Sequence, residues 1–449
     1  MMKAKPRKYK KPLKRSLSGM EIECFTLDNS GKLVFDVDKI IKHVAKKHPE
    51  VEIRKECCKS MLELGSFPTI RVYNTGLDIL QNLEKVITSA EDLGLHLLPH
   101  GTYPGKVNPI IRSDKWYKFR MKLFGEEKFL QAGLCCGFHY HYTLPRGVFD
   151  KKTQFLKMIG KSRIKKTLMD SYNLGIAMDP VLTTLLQSSP FAQGKYIARD
   201  SRMLLYRGGQ KLGYRQGLYG KYQILGGLPP YKQTLSDLML SIHKRKLKLK
   251  SLLKLHNFNP GIIKDSNVLN FTWNPVKINK LGTLELRGMD MNHPQYLIAA
   301  SVFLKFIFKK VQQEFLHVMP SDTGIDEPFK IEDNLLYIPA HTHVRNNLQK
   351  YSAYDGLYNK EMYKYVKRFI RFAKSCSRSE YKPVVKPLVD IMEKKETVSD
   401  KMVKWVKRKG YSRDRKLPQS LSQELALKFA KPLLKEVQHT KAMLEKVVF

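Results

Sequence analysis

The sequence predicts an α+β fold in which helices accompany an antiparallel β-sheet. Several short segments alternate apolar and polar residues with a period of two, which is typical of half-buried strands. Other segments repeat apolar residues at helical spacing, and strands and helices follow one another without the strand–helix–strand rhythm of a parallel sheet. We therefore expect an antiparallel sheet rather than a parallel one.

The predicted elements are spread along the whole chain. A helix is expected near 36–47, and another over 77–93, where apolar residues recur at helical spacing before Gly94. From about residue 295 the sequence is mostly helical and basic. Alternating segments predict strands at 19–27, 61–67, 134–144, 268–273 and 282–290.

The net charge is the most unusual feature of the amino-acid composition. Its 449 residues include 81 Lys and Arg against 41 Asp and Glu, a formal net charge of +40. Such a balance favours attraction to nucleic acid, anionic membranes or anionic small molecules, although a solvated basic surface also explains it. The densest basic runs are 1–16, 243–254 and 401–416. Residues 1–16 are expected to form a flexible basic arm.

The cysteines and the apolar segments predict a cytoplasmic protein. The six cysteines match neither a disulfide framework nor the C-x2-C spacing of a zinc site. The basic N-terminal segment has no apolar stretch of the kind found in secretory signals. The longest apolar stretch, 296–308, is short and contains Lys305, so we expect a core helix rather than a membrane span.

Three of the predicted strands carry polar side chains two residues apart, and such side chains project from one face of a sheet. Glu56 and Glu63 add two carboxylates in a similar setting. The wet face of an ordinary antiparallel sheet would explain any single pair. The residues on the three strands are Glu21 and Glu23, His139 and His141, and Thr283, Glu285 and Arg287.

The residue types of this group indicate a site for metal and phosphate. Clustered carboxylates repel one another unless a cation lies among them, and Mg²⁺ takes oxygen ligands that it shares with nucleotide phosphates. The planar guanidinium of Arg287 suits a phosphate or carboxylate group. No GxxxxGK[ST] segment occurs in the chain, so the sequence predicts a phosphoryl-transfer site without a P-loop.

Seven motifs in one order resemble a known family. They are GMEIE, E-x6-E-L-G-S beginning at Glu56, HGTYPG, GFHYH, SSPFAQG, GGLPP and GTLELRGMD. The series closely resembles the carboxylate–amine ligases of the glutamate–cysteine ligase type, second family, in the glutamine synthetase superfamily. The resemblance runs from about residue 19 to 293 and is weaker beyond.

The resemblance implies a glutamine synthetase-like catalytic domain whose curved antiparallel sheet forms a funnel flanked by helices. ATP would enter at one end and the amino acid at the other, with Mg²⁺ or Mn²⁺ between them. Arg287 would stabilise the transferring phosphoryl group, and Arg202 would hold a substrate carboxylate or phosphate. Glu56 is a secondary candidate ligand. The candidate metal ligands are Glu21, Glu23, Glu63, His139 and Glu285.

The implied reaction joins a carboxylate and an amine. ATP would convert the carboxylate into an acyl phosphate, which the amine then attacks to give an amide. Two other hypotheses about the function stay open. The protein could be a degenerate ligase fold that binds nucleic acid through its basic surface, or an ATP:guanidino phosphotransferase. The acceptor amine and the oligomeric state are not determined by the sequence.

Two motif positions differ from the family pattern. Tyr103 stands where the family has His, with His100 three residues earlier, and Ser188 stands where the family has Asn. These differences lie toward the amino-acid end of the expected site.

We expect residues 17–300 to form the catalytic domain and residues 301–449 to form a helical part packed on it.

Overall fold

The computed structural model describes residues 16–150, 152–157, 162–259, 269, 272–321 and 327–447. All of the basic arm predicted for 1–16 except Ser16 lies outside the described residues. Three of the six residues of the strand predicted for 268–273 also lie outside them, and the three that are described are not in a strand, so that prediction is wrong for those residues. Among the described residues, no helix is long and apolar enough to cross a membrane.

The strands of the described chain are short except for the first. They are β1 (Ser18–Asp28), β2 (Ile53–Lys55), β3 (Met61–Gly65), β4 (Leu95–Leu98), β5 (Gly137–Thr143), β6 (Phe149–Asp150), β7 (Phe155–Leu156), β8 (Phe191–Ala192), β9 (Lys195–Tyr196), β10 (Val276–Asn279), β11 (Thr283–Asp290), β12 (His317–Ser321), β13 (Ile331–Glu332) and β14 (Leu335–Pro339).

The helices occupy much of the rest, and a π-helical turn joins α10 to α11. They are α1 (Val37–Lys47), α2 (Val72–Glu91), α3 (Lys115–Phe124), α4 (Glu126–Leu130), α5 (Arg163–Leu185), α6 (Ser201–Tyr206), α7 (Gln223–Gly226), α8 (Leu235–Leu255), α9 (Pro294–Glu314), α10 (His341–His343), α11 (Gln349–Tyr354), α12 (Lys360–Cys376), α13 (Lys382–Lys394), α14 (Val398–Arg408), α15 (Gln419–Ala430) and α16 (Leu433–Glu445).

The main sheet has seven strands in the order β10-β11-β5-β1-β3-β2, with β4 also pairing with β1. Every pairing in it is antiparallel, which confirms the predicted α+β class with an antiparallel sheet. The end strands β10 and β2 do not pair with each other, so the described sheet is open. A smaller sheet pairs β14 with β12 in parallel and with β13 in antiparallel fashion.

One face of the main sheet is apolar and carries the core. Met20, Phe138 and Leu284 are buried on this face, under helices α2, α5 and α9. The Ser301 hydroxyl on α9 donates a hydrogen bond to the Met20 sulfur at 2.9 Å. A side chain at Gly175 of α5 would meet Val276 of β10, so this glycine lets the helix approach the sheet closely. Burial of this face orients the alternate side chains toward the opposite side.

The C-terminal helices pack behind this layer. Helices α12 and α13 contact α9, while α16 contacts both α2 and α9. The predicted boundary at residue 300 falls inside α9, which spans Pro294–Glu314. The division into a catalytic domain and a helical part stays a prediction.

A buried ion pair supports the sheet at β11. Asp179 of α5 accepts hydrogen bonds from Arg207 at 2.5 and 2.8 Å, and Arg207 also donates to the Gln349 side chain at 2.7 Å. The strand register shifts between Leu286 and Met289, and a side chain at Gly288 would collide with this pair. The pair therefore holds the irregular part of β11, next to Arg287.

We expect Asp179→Ala to lower the free energy of unfolding by about 3–5 kcal/mol, because Arg207 would stay buried without its counter-ion. Asp390→Ala is the matched control, since Asp390 pairs with Lys386 on an exposed helix surface. The control should lose only about 0.3–0.5 kcal/mol. Chemical denaturation measures both, and equal losses would contradict the supporting role of the buried pair.

Candidate active site

The register of the main sheet brings the predicted polar residues together on the face opposite the core. Glu21 lies opposite His139 of β5 and Gly65 of β3. Glu23 lies opposite Glu63, and Glu285 lies opposite His141. Antiparallel pairing of strands whose polar residues alternate in phase produces this arrangement, because directly opposed residues point to the same face.

His139 lies at the centre of the group. Its Nδ1 is 3.4 Å from a Glu21 carboxylate oxygen, and its Nε2 is 3.5 Å from a Glu23 carboxylate oxygen. Burial, and then the charge of Arg287, lowers the pKa of His139 to about 4. The imidazole is therefore neutral near pH 7, which is the form that binds metal ions.

Two sets of candidate ligand atoms meet at His139. One set is Glu21, His139 and Glu285, and the other is Glu23, Glu63 and His139. Within each set the ligand atoms lie within 4.8 Å of one another. Two carboxylates and an imidazole at such separations suit a divalent cation.

The carboxylates of this group are crowded as well as buried. Burial, and then the charge of Glu56, raises the pKa of Glu23 to about 8. Burial together with the charges of Glu56, Glu21 and Glu23 raises the pKa of Glu63 well above its usual value. A bound cation would offset this repulsion, so the chemistry of the donor set fits a metal site.

Glu21 is held in its ionised form by its neighbours. Burial alone would raise its pKa, but hydrogen bonds from His139 and His141 outweigh burial and lower it. The His141 Nε2 lies 3.2 Å from Glu21, and its Nδ1 lies 2.9 Å from the Thr283 hydroxyl. Arg54 of β2 also lies 3.3 Å from Glu21.

Glu285 is almost completely buried, with 1% of its surface exposed, and is surrounded by donors. Asn279 donates a hydrogen bond to it at 2.6 Å, and the Arg287 guanidinium and Lys277 ammonium lie at 3.2 and 3.6 Å. Burial would raise the Glu285 pKa, but the charges of Lys277 and Arg287 lower it. Arg287 keeps 22% of its side chain exposed, so it is accessible to a substrate.

Arg202 and Glu56 lie toward the Glu23 side of the group. The Arg202 guanidinium donates to the carbonyl oxygens of Gly288 at 3.2 Å and Arg287 at 3.5 Å, and its buried Nε has no partner among the described residues. Burial would lower the Arg202 pKa, but the charges of Glu23, Asp290 and other neighbours together outweigh burial and raise it. The half-buried Glu56 accepts a hydrogen bond from its neighbour's backbone at 3.1 Å.

The departures from the family pattern have structural partners. The Tyr103 hydroxyl donates to the Gly31 carbonyl at 3.0 Å and ties its loop to the turn after β1. Ser188 donates from its backbone to Asp290 at 3.0 Å and from its hydroxyl to the Met291 carbonyl at 2.6 Å. His100 is buried against the Phe429 ring, with 4.9 Å between ring centroids.

Several residues of the site were not among the candidates from sequence. Arg54, Lys277 and Asn279 contact the carboxylates from the two outer strands, and His141, which the sequence placed only as one of a pair, contacts Glu21. The sequence signal for β10 was the short segment VKIN, in which the polar residues Lys277 and Asn279 are two residues apart, as on one face of a strand. Arg54 had no such signal, because β2 is only three residues long.

A cleft with a volume of about 610 Å³ adjoins the group at its Glu21 side. Its polar wall includes Glu21, His141 and Thr283, and loops after β3 and β5 form much of the remainder. Phe67 lines the cleft with 70% of its surface exposed, although its backbone N–H is held by Asp78 at 2.7 Å. The cleft thus combines an apolar ring with access to the carboxylate group.

Residues 17–215 match the family model described as Glutamate-cysteine ligase family 2. The match confirms, over those residues, the resemblance indicated by the sequence motifs. No curated protein sequence matches the chain.

Solved structures share the fold. The crystal structure of a bifunctional glutathione synthetase from Pasteurella multocida aligns with a TM-score of 0.55 and 13% identity, covering 97% of this chain and 57% of that one. A glutamate–cysteine ligase from Francisella tularensis in complex with AMP aligns with a TM-score of 0.54 and 12% identity, covering 97% and 94%. The chain thus spans little more than half the length of the bifunctional enzyme.

We expect Glu63→Gln to leave the metal-free protein at least as stable as the wild type, because it removes one of the crowded negative charges. The variant should also lose most of the rise in melting temperature that Mg²⁺ or Mn²⁺ gives the wild type, since binding of a cation stabilises the folded state. Thermal unfolding with EDTA and with excess metal measures both effects.

Glu52→Gln is the matched control. Glu52 also contacts Arg54, at 2.9 Å, but is exposed and outside the crowded group. Its substitution should leave the metal-dependent shift intact. A full metal-dependent shift in Glu63→Gln would contradict the assignment of Glu63.

Proposed function

We propose that the protein is an ATP-dependent carbon–nitrogen ligase that joins the carboxylate of an amino acid to an amine through an acyl phosphate, as a glutamate–cysteine ligase does. The main observation behind this proposal is a group of potential metal ligands whose side chains meet beside an open cleft. They are Glu21, Glu23, Glu63, His139 and Glu285. The family match over residues 17–215 supports the same reaction class.

In this proposal the two ligand sets around His139 bind Mg²⁺ or Mn²⁺. Glu21 and Glu285 belong to one site, Glu23 and Glu63 belong to the other, and Glu56 is a secondary ligand. When bound, the cations neutralise phosphate charge and lower the barrier to phosphoryl transfer. Lys277 and Asn279 both contact the Glu285 carboxylate, and these two contacts hold it in place.

Two arginines act on the reacting groups. A substrate carboxylate oxygen bonds to the γ-phosphorus of ATP, and ADP leaves with the electrons of the broken P–O bond. Arg287 stabilises the charge of the transferring phosphoryl group, since its guanidinium is partly exposed beside Glu285. The amine then attacks the acyl carbon, phosphate leaves, and the new amide loses a proton. Arg202 holds a substrate carboxylate or phosphate on the Glu23 side.

The nucleotide and the amino acid approach from different sides in this proposal. The nucleotide occupies the 610 Å³ cleft, with its phosphates toward Glu21 and its base against the exposed ring of Phe67. The amino acid lies beyond the carboxylates, near Arg202. Curvature of the open sheet would then form the funnel that the family resemblance implies.

The proposed setting is the cytoplasm. All six cysteines are unpaired, and five of them are buried. Reduced cysteines of this kind are typical of proteins in a reducing compartment. The substrates would be small molecules with an amino-acid carboxylate.

The proposed reaction is tested by a screen for ADP release. Glutamate, aspartate and other carboxylates are paired with a panel of amines, with Mg²⁺, Mn²⁺ or EDTA. ADP release that needs a carboxylate, an amine and a divalent cation supports the proposal. No release with any pair would contradict it, while metal-dependent phosphorylation of a guanidino compound would favour the phosphotransferase alternative.

We expect Arg287→Lys to lower kcat by on the order of 10²-fold with a smaller effect on nucleotide affinity, because lysine keeps the charge but loses the planar fork. Arg112→Lys is the matched control, since Arg112 forms a two-point contact with Asp38 at 2.8 and 3.1 Å. The control should keep wild-type kinetics. An unchanged kcat with a raised KM for ATP in Arg287→Lys would refute the assigned role.

Phe67→Ala should weaken nucleotide binding about 10-fold, because stacking of a base on an aromatic ring contributes about 1–3 kcal/mol. Phe67→Trp should retain the affinity. The binding of a fluorescent ATP analogue measures this without turnover. Ile70→Ala is the control, as Ile70 is 43% exposed on the same segment but does not line the cleft. Equal effects in both variants would place the base elsewhere.

A further inference from the structure

A continuous row of cations lies on the exposed side of α12. The residues recur at steps of four, three, four, three and four along the chain, which places them on one side of a helix within an arc of about 80°. All six are exposed. This row, called the α12 stripe below, consists of Lys360, Lys364, Lys367, Arg371, Lys374 and Arg378, the last of which follows the helix end.

The cations of the α12 stripe have few carboxylates near them in the described chain; Arg378 is close enough to Glu380 to help lower its pKa. None of the six forms an ion pair with a carboxylate among the residues that the structure describes. Exposed lysines elsewhere have such partners, as in Lys386 with Asp390 at 2.6 Å and Lys404 with Glu396 at 2.5 Å. The only carboxylate within the row, Glu361, lies 2.7 Å from His343. The stripe is therefore a strongly positive surface.

The stripe is held rigidly by the other side of its helix. Phe369 of α12 packs edge-on against Phe303 of α9, with 6.3 Å between ring centroids. The Tyr365 hydroxyl donates to the Ala177 carbonyl of α5 at 2.8 Å. Because the apolar face is fixed in the core, the spacing of the cations along the helix is fixed as well.

The basic runs that the sequence singled out differ from the α12 stripe. In 401–416, Lys404 and Lys409 are paired with Glu396 and Glu424. In 243–254, the lysines lie on two sides of α8, and Leu247 is exposed between them at 49%. Neither run therefore presents one unbroken row of free cations.

We propose that the α12 stripe binds the phosphate backbone of double-helical nucleic acid. From Lys360 to Lys374 the helix is about 21 Å long, and a nucleic-acid strand carries a charge about every 3.4 Å of axis, so the stripe spans about six phosphates. Five cations of the stripe lie within this length, so a row of cations meets a row of anions of similar length. Binding is without sequence preference, because lysine and arginine on this surface contact phosphates rather than base edges.

The exposed face distinguishes a nucleic acid from other anionic partners. A helix that lies on a membrane inserts apolar side chains, but the apolar residues of α12 are buried in the core. Protein interfaces rely on buried aromatic or apolar anchors. Apart from the six cations, the exposed residues along the stripe are Glu361 and Ser375. The stripe therefore has no exposed apolar residue that could anchor a membrane or a protein partner.

The surface is separate from the proposed catalytic chemistry. Helix α12 packs on α9 and α5, which cover the apolar face of the main sheet, whereas the carboxylate group lies on the opposite face. The inference does not depend on the proposed ligase activity. Substitutions in the stripe should leave ADP release unchanged.

The test measures binding of labelled RNA and DNA duplexes by fluorescence anisotropy between about 50 and 200 mM salt. The stripe variant carries Lys364→Gln, Lys367→Gln, Arg371→Gln and Lys374→Gln. The control variant carries Lys244→Gln, Lys248→Gln, Lys250→Gln and Lys254→Gln, which removes the same number of charges from exposed positions of α8. Circular dichroism checks that both variants are folded.

The stripe variant should lose at least 10-fold in affinity, and the slope of log affinity against log salt should fall by about 3 to 4. The control should lose much less. A variant with Lys364→Arg, Lys367→Arg and Lys374→Arg should bind as the wild type does, because it retains the charge. Similar affinity for RNA and DNA duplexes supports recognition of the backbone.

Three results would overturn the proposal. One is the absence of duplex binding by the wild type at low salt. Another is an equal loss in the stripe and control variants, which would mean that only the overall charge acts. The last is stripe-dependent binding to vesicles of anionic lipid or to an acidic protein without binding to duplexes.

Discussion

The concentration of buried carboxylates on one face of the main sheet is the constraint to which the neighbouring structure responds. Glu23 and Glu63 are directly opposed, and burial together with the charge of Glu56 raises the pKa of both and so disfavours their ionised forms. Arg54 contacts Glu21 and Lys277 contacts Glu285, while the charges of Arg202 and Arg287 act on Glu23. In the proposed function, a divalent cation at the centre around His139 would offset the repulsion among these carboxylates.

The apolar face of the same strands holds the carboxylates in position. Strands β1, β5 and β11 bury their alternate side chains under α2, α5 and α9, so a slip of one residue would exchange core and site. The Asp179–Arg207 pair adds a local support where β11 is irregular. Stability and site geometry thus depend on the same strand register.

The positive charges near the carboxylate group and those on α12 have different surroundings. Cations near the carboxylates are buried or partly buried and are compensated, as shown by Lys277 and Arg287 beside Glu285. Cations on α12 are exposed and have no carboxylate partner among the described residues. Charge of the first kind shifts the pKa of the site carboxylates, whereas charge of the second kind is proposed to bind the phosphates of nucleic acid.

Local patterns in the sequence determined the main strands and the faces of their side chains. The alternation in GMEIE, GFHYH and GTLELRG is read within a few residues, so Glu21, His139 and Glu285 were placed on one side without knowledge of the fold. The ordered motifs also indicated the family matched by residues 17–215. Only the tertiary structure decided that Arg54 and Lys277 contact these carboxylates, that the α12 stripe forms no ion pair with a described carboxylate, and that the described sheet is open. Such features depend on strand order and on which distant carboxylate reaches each cation, and a local pattern contains neither.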